Sequence, residues 1–147
     1  MIIERVTTVS DELIAAFARL IPQLTDHPAP DREMIQRLID SRSSIVLIAR
    51  ADDPPRSIAG ALTLILYLVP TGVRARIEDV VVDESARGQG IGSALVVSAI
   101  DLAKAAGAES IGLSSNPARQ AANHLYQKLG FQKWDSNHYR YWIGKQA

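Results

Sequence analysis

IEDVVVDESARGQGIGSALVVSAIDLAKAAG, residues 77–107, decides the fold. Ile77–Val82 is rich in β-branched side chains and reads as a strand. Apolar residues then recur at Ile91, Leu95, Ala99, Leu102 and Ala106, steps of three or four that predict a helix. Gly107 stops that helix just past its C-cap. Between strand and helix lie three glycines at alternate positions, Gly88, Gly90 and Gly92, behind Arg87. The first amides of a helix have no partner inside it, and the helix dipole adds about half a positive charge there. Glycines let an anion approach those amides, and Arg87 adds a charge at the mouth. The stretch therefore predicts a phosphate cradle. A tight strand-to-helix turn is the plainer alternative, but a turn needs one or two special residues, not three glycines and an arginine. The spacing is not that of a Walker loop, because Gly92 is followed by Ser93 and Ala94, nor is it the dinucleotide pattern G-x-G-x-x-G.

Upstream, Ile2–Val9 reads as a strand. Ser10 is an N-cap, with Asp11 and Glu12 in the first turn of a helix whose buried face is Leu13, Ala16, Phe17 and Leu20. Gln23–Pro30 reads as a loop. Asp31 caps a second helix with Met34, Ile35, Leu38 and Ile39 inward. Ser44–Ala51, Ser57–Tyr67 and Ala75–Val82 read as strands joined by the turns Asp52–Arg56 and Val69–Val73, which predicts an antiparallel meander. Downstream, Ser110–Ser114 reads as a strand parallel to Ala75–Val82, since a full helix joins them. Ala118–Leu129 is a last helix stopped by Gly130. Phe131–Trp134 and His138–Ile143 read as a final hairpin. The expected architecture is one α+β domain over residues 1–147, with a mixed central sheet of about seven strands flanked by about four helices.

The totals narrow the function. The 147 residues suit one domain. Sixteen basic and sixteen acidic residues cancel, so no global field favours nucleic acid or an anionic membrane. Cysteine is absent, which excludes disulfides, thiolate metal sites and a cysteine nucleophile, and fits a cytoplasmic protein. The N-terminus lacks a signal-peptide pattern, and the apolar run Ala59–Pro70 is too short to span a bilayer. The histidines, His27, His124 and His138, are dispersed without metal-ligand spacing, so no metal is expected.

VVVDESARGQGIGSAL resembles the acyl-CoA-binding motif of the GCN5-related N-acetyltransferases, Arg/Gln-x-x-Gly-x-Gly/Ala, here Arg87–Gly92. A second signature, AANHLYQKLGF (Ala121–Phe131), is similar to the family's A-x-x-x-Y-x-x-x-G-F ending. The resemblance covers most of residues 44–143. It implies an N-acetyltransferase fold and transfer of an acetyl group from acetyl-CoA, as co-substrate, to a primary amine. It also implies that the amides of Arg87, Gly88, Gln89, Gly90, Ile91, Gly92 and Ser93 hold the CoA pyrophosphate. The preceding strand would bulge and splay from its parallel neighbour, with pantetheine pairing along Val80, Val81 and Val82 in the gap. An exposed amide there would stabilise the oxyanion of a tetrahedral intermediate. Tyr126 matches the tyrosine that protonates or hydrogen-bonds the departing thiolate; on its own pattern it also fits a core stripe with Ala122, Leu125 and Leu129. Asn123 is within reach of the cofactor. The family's asparagine seven residues before the tyrosine is replaced here by Arg119, which leaves Asn116, Arg119 and Asn123 as alternative contacts. Asn116 also suits a cap ahead of Pro117.

An ammonium cannot attack a thioester, so a base must take its proton. Glu78 is the candidate, since a period of two puts it on one face with Val80 and Val82, while Asp79 points to the other face as a structural residue. Arg76 shares the Glu78 face, to hold a substrate carboxylate or to pair with Glu78. Without cysteine, and with Ser114 outside a nucleophile elbow, direct transfer is expected. His27 and Asp26 either line the acceptor entrance or are merely solvated. A small-molecule amine is favoured over a protein amine, because a short domain offers little docking surface. The rival class is a non-catalytic acyl-CoA binder or regulator, which needs neither Glu78 nor Tyr126. The aromatic C-terminal segment suits a homodimer contact.

Overall fold

The computed structural model describes residues 1–144. Its elements are β1 (Ile2–Arg5), α1 (Asp11–Leu20), α2 (Arg32–Asp40), β2 (Ser44–Arg50), β3 (Ile58–Val69), β4 (Gly72–Val82), α3 (Ile91–Ala105), β5 (Ile111–Gly112) and α4 (Gln120–Lys128). The sheet runs β1-β2-β3-β4-β5, antiparallel except for the last pair, as the short turns and the single long helical crossover dictate.

The sheet is buried on both faces. β2 shows why its sequence is a continuous apolar run: Ile45, Leu47 and Ala49 join the core under α3, while Val46 and Ile48 join the core under α1 and α2. α1 buries Leu13, Ala16, Phe17 and Leu20 behind its Ser10 cap. α2 is capped by Asp31 and buries Ile35, but Met34 is exposed because the helix offers a narrower face than its apolar residues suggest. α3 buries Ile91, Leu95, Val96, Ala99 and Ala103; Ala106, expected inside, is its exposed C-cap. α3 and α4 both close with a left-handed glycine, Gly107 and Gly130. In each, the two amides that follow the cap bond back into the last turn.

Among the described residues the sheet has five strands, not about seven. Phe131–Trp134 and His138–Ile143 form no strand. Strand propensity is realised only against a partner, and β5 offers two rungs, Ala75↔Ile111 and Arg76↔Gly112. The segment instead leaves Trp134, Tyr139 and Tyr141 more than four-fifths exposed.

Candidate active site

β4 carries one extra residue against β3. The register steps from Ala61↔Val81 to Thr63↔Glu78, so one position on β3, Leu62, faces two on β4, Asp79 and Val80. Asp79, with φ of 51°, is the left-handed residue of this bulge. Aspartate tolerates that conformation better than the branched valines around it. The inserted residue inverts the alternation. Ala75 and Ile77 belong to the α3-side core, and so do Val80 and Val82, whereas Val81 belongs to the α1/α2-side core. Glu78 pairs with Thr63 on that second parity. The expectation that Glu78, Val80 and Val82 share one face is therefore wrong, because a strict period of two does not survive a bulge.

β4 also parts from β5. Beyond Arg76↔Gly112 the two strands share no rung. The gap is a cleft of about 120 Å³ lined by Leu24, Ile77, Glu78, Asp79, Val80, Leu113, Ser114, Arg119 and Tyr126. The amide of Asp83 bonds the Ala59 carbonyl on the β3 side. By alternation the amides of Val82 and Val80 point the other way, into the gap. The Val82 carbonyl on that side accepts Arg87 Nε at 3.3 Å.

At the open end of the gap stands α3. α1 and α2 have side-chain caps, but α3 has none, and its N-cap is Gly90 at φ 80°. Gly88 is also left-handed, at φ 78°, and a Cβ on either would meet nothing within 4 Å. The first amides of α3 thus face open space beside Arg87, which suits a phosphate group. Gly92 faces inward: a Cβ there would lie 3.3 Å from Leu125 Cδ2 and 3.7 Å from Val82 Cγ2, so the loop touches α4 directly.

Tyr126 is buried at the cleft wall. Burial pushes its hydroxyl above the usual phenol range, partly offset by the Arg119 guanidinium, so it holds its proton at neutral pH. Glu78 Oε1 accepts Arg76 Nε at 2.6 Å, and Arg76 Nη2 donates to Ser114 Oγ at 2.9 Å, bridging β4 to the chain beyond β5. Asn116 and Asn123 do not line the cleft. Asn116 Oδ1 accepts the Ala118 amide at 2.8 Å and the Asn116 carbonyl accepts Asn123 Nδ2 at 2.9 Å, which builds the turn into α4.

Sequence reasoning set Asp79 aside as structural, yet Asp79 lines the cleft. Its carboxyl is held above the ordinary range, first by the crowding that displaces water around it and then by the Glu78 carboxylate, with His27 pulling the other way. The signal was present: an aspartate inside a run of strand-forming residues is out of place unless the strand breaks step. Among the described residues no cluster of His, Cys, Asp or Glu is arranged to hold a metal, and no helix is long and apolar enough to cross a membrane.

Comparison with known proteins agrees with this geometry. The sequence profile of the acetyltransferase (GNAT) family matches residues 11–131. A glucosamine 6-phosphate N-acetyltransferase of Trypanosoma brucei brucei is 32% identical over 133 residues, 87% of each chain. A crystal structure described as a transcriptional regulator from Bacillus halodurans C-125 is 26% identical, with a TM-score of 0.76 over 95% of this chain and 99% of that one. The aminoglycoside acetyltransferase meta-AAC0020, from an uncultured soil metagenomic sample, shares the fold at 22% identity, with a TM-score of 0.78 over 97% and 95% of the two chains. A bulged strand splayed from its parallel neighbour, an uncapped helix behind a glycine loop and a buried tyrosine on the wall accord with that match: the chain belongs to the acetyltransferase (GNAT) family, as an N-acetyltransferase.

Proposed function

We propose that the protein moves an acetyl group from acetyl-CoA directly to the primary amine of a small molecule. The observation that carries this reading is the alignment of two features: the cleft walled by Val80, Arg119 and Tyr126, and the uncapped start of α3, where Gly92 sits beside Val82. By alternation the amides of Val82 and Val80 line the path between them. That path suits a diphosphate at one end and an extended thioester arm along the strand. The amides of Arg87–Ser93 take the diphosphate, and Val80–Val82 take the arm. Arg119, at the start of α4 and in the cleft wall, takes the anionic or polar groups between them. The amide of Val80 or Val82, pointing into the gap, supports the oxyanion. Tyr126 gives a proton or hydrogen bond to the leaving thiolate, and the Glu78–Asp79 pair supplies the carboxylate that accepts the amine's proton.

The relative named for glucosamine 6-phosphate makes amino sugars and their phosphates the first acceptors to try. The test is acetyl-CoA-dependent thiol release over a panel of glucosamine 6-phosphate, glucosamine, polyamines, aminoglycosides and a lysine peptide. Turnover with a small amine and none with the peptide is the expected result; peptide-only turnover overturns the acceptor class. The neighbour described as a transcriptional regulator keeps a non-catalytic reading in view. A CoA-induced rise in Tm with no thiol release for any amine would select it.

We also propose a homodimer through the C-terminal segment. Aromatic side chains bury roughly 150–250 Å² each. The exposed parts of Trp134, Tyr139, Tyr141 and Trp142 then amount to on the order of 600 Å², near the roughly 800 Å² per partner of a stable interface.

A further inference from the structure

Resting on the acyl-transfer reading above, we infer that Asp79, not Glu78, takes the proton from the acceptor ammonium, and that Glu78 serves as a fixed charge beside it. Two geometric facts separate these neighbours. The Glu78 Oε1 atom is occupied by Arg76 Nε, and Arg76 is itself anchored to Ser114 Oγ. A charge-assisted bond of 2.6 Å occupies one oxygen of that carboxylate and holds the group in one place. Asp79 has no ion pair among the described residues, and its side chain belongs to neither core. With Val80 it is one of the two residues of β4 that the bulge leaves without a rung on β3, and it lines the cleft together with Val80, Leu113 and Tyr126.

The backbone there is costly. A non-glycine residue at φ 51° is strained. Glycine would fill the bulge without that strain, so the backbone itself does not call for a carboxyl at this position. The Asp79 pKa, raised by crowding and by Glu78, makes the carboxylate a better proton acceptor near neutral pH. The charged groups acting on it are Glu78 on its own strand and His27 from the loop before α2; Arg119, at the start of α4, lines the same cleft with the protonated Tyr126, and Arg76 is held by Glu78 and Ser114.

The balance is simple. One N–H bond of the ammonium breaks and an O–H bond forms on Asp79, leaving the nitrogen lone pair free. The amine nitrogen bonds to the thioester carbon, the C–S bond breaks, and the thiolate takes the Tyr126 proton. The nitrogen's remaining extra proton returns to the Tyr126 oxygen, and Asp79 loses its proton to water.

The experiment compares Asp79→Asn, Asp79→Gly and Glu78→Gln with the parent chain, by thiol release from acetyl-CoA with glucosamine 6-phosphate and with each other amine of the panel, across pH 5–9. Both Asp79 variants are expected to lose at least about 100-fold in kcat/KM and to lose the acidic limb of the pH profile. Glu78→Gln is expected to lose no more than about tenfold and to keep that limb. Asp79→Gly relieves the strained φ, so it is expected to unfold at or above the parent Tm, which separates lost chemistry from lost fold. Added formate is expected to restore part of the Asp79→Gly rate. If Glu78→Gln removes the limb while Asp79→Asn keeps it, the assignment is overturned. If the parent chain itself releases no thiol with any amine while CoA raises its Tm, the acyl-transfer reading fails, and this assignment with it.

Discussion

The rings of Tyr126 and Phe131 meet edge to face, with centroids 5.8 Å apart and planes at 64°. The contact is the apolar clasp of a helix ending, since Gly130 is left-handed and the Phe131 amide bonds the Tyr126 carbonyl. The Y-x-x-x-G-F spacing thus fixes the tyrosine by a local turn as well as by burial. Phe131→Leu keeps most of the apolar area but loses the ring pair. It is expected to cost about 1 kcal/mol in urea unfolding and to lower kcat with little change in KM for acetyl-CoA. Tyr126→Phe keeps the clasp. It should fold as the parent does and lose roughly 100-fold or more in kcat.

The glycines of the loop are not equivalent. Gly90→Ala forces a side chain into a left-handed position and is expected to cost about 1 kcal/mol, with a larger loss of the CoA-induced Tm shift. Gly92→Ala sits in the helix, where alanine is favoured by roughly 1 kcal/mol, but its methyl presses on Leu125 at 3.3 Å. Its unfolding free energy should therefore stay near the parent value while turnover falls, because α4 carries Tyr126. Chemical denaturation with and without CoA separates the two variants.

Two neighbouring aspartates should show opposite pH signatures. Asp83 is held below the usual carboxylate range, first by the Ser85 amide, with Arg19 helping and burial opposing. Its stabilising contribution is present above the unfolded value of about 3.9 and is lost as pH falls through the lower folded value. Asp83→Ala should cost about 1 kcal/mol at pH 7, as a lost cap does, and much less in strong acid. Asp79 is raised, so its ionised form is disfavoured in the fold. Its favourable contribution is full below the unfolded value and is lost as pH rises through the folded one. Asp79→Asn should therefore gain stability on the parent as pH rises, and the difference should vanish in acid. Urea midpoints at pH 3, 5 and 7 check both signs.

Sedimentation velocity at micromolar concentration is expected to show a dimer. Replacing Trp134 and Tyr141 with serine should yield a monomer with an unchanged far-ultraviolet spectrum. A parent chain that sediments as a monomer at every concentration removes the proposed contact.

Features written in short-range patterns were legible in the sequence. Ser10 and Asp31 as caps, Gly107 and Gly130 as stops, and the strand–glycine–helix unit all depend on residues a few positions apart. The bulge was expected from the family resemblance, but its exact register was not legible, because an extra residue on β4 is placed only against its β3 partners, Ala61 and Thr63. The face of Glu78 was misread for that reason, and Asp79 was passed over. The C-terminal segment failed differently: FQKW and HYRYWI carry strand-forming residues, but a strand exists only where an edge accepts it, and β5 ends after two residues. Arg119 was named only through its departure from the family pattern, and the structure puts it in the cleft wall.

The bulge has one more consequence. Every other side chain from Ala75 to Val82 is committed, to one core, to the other, or to the Arg76–Glu78 pair. Position 79 alone is a socket that neither core fills, open to the few residues that accept a left-handed backbone, glycine, asparagine and aspartate among them. On the proposed mechanism, the group at that spot is exchangeable within this small set while the scaffold stays untouched.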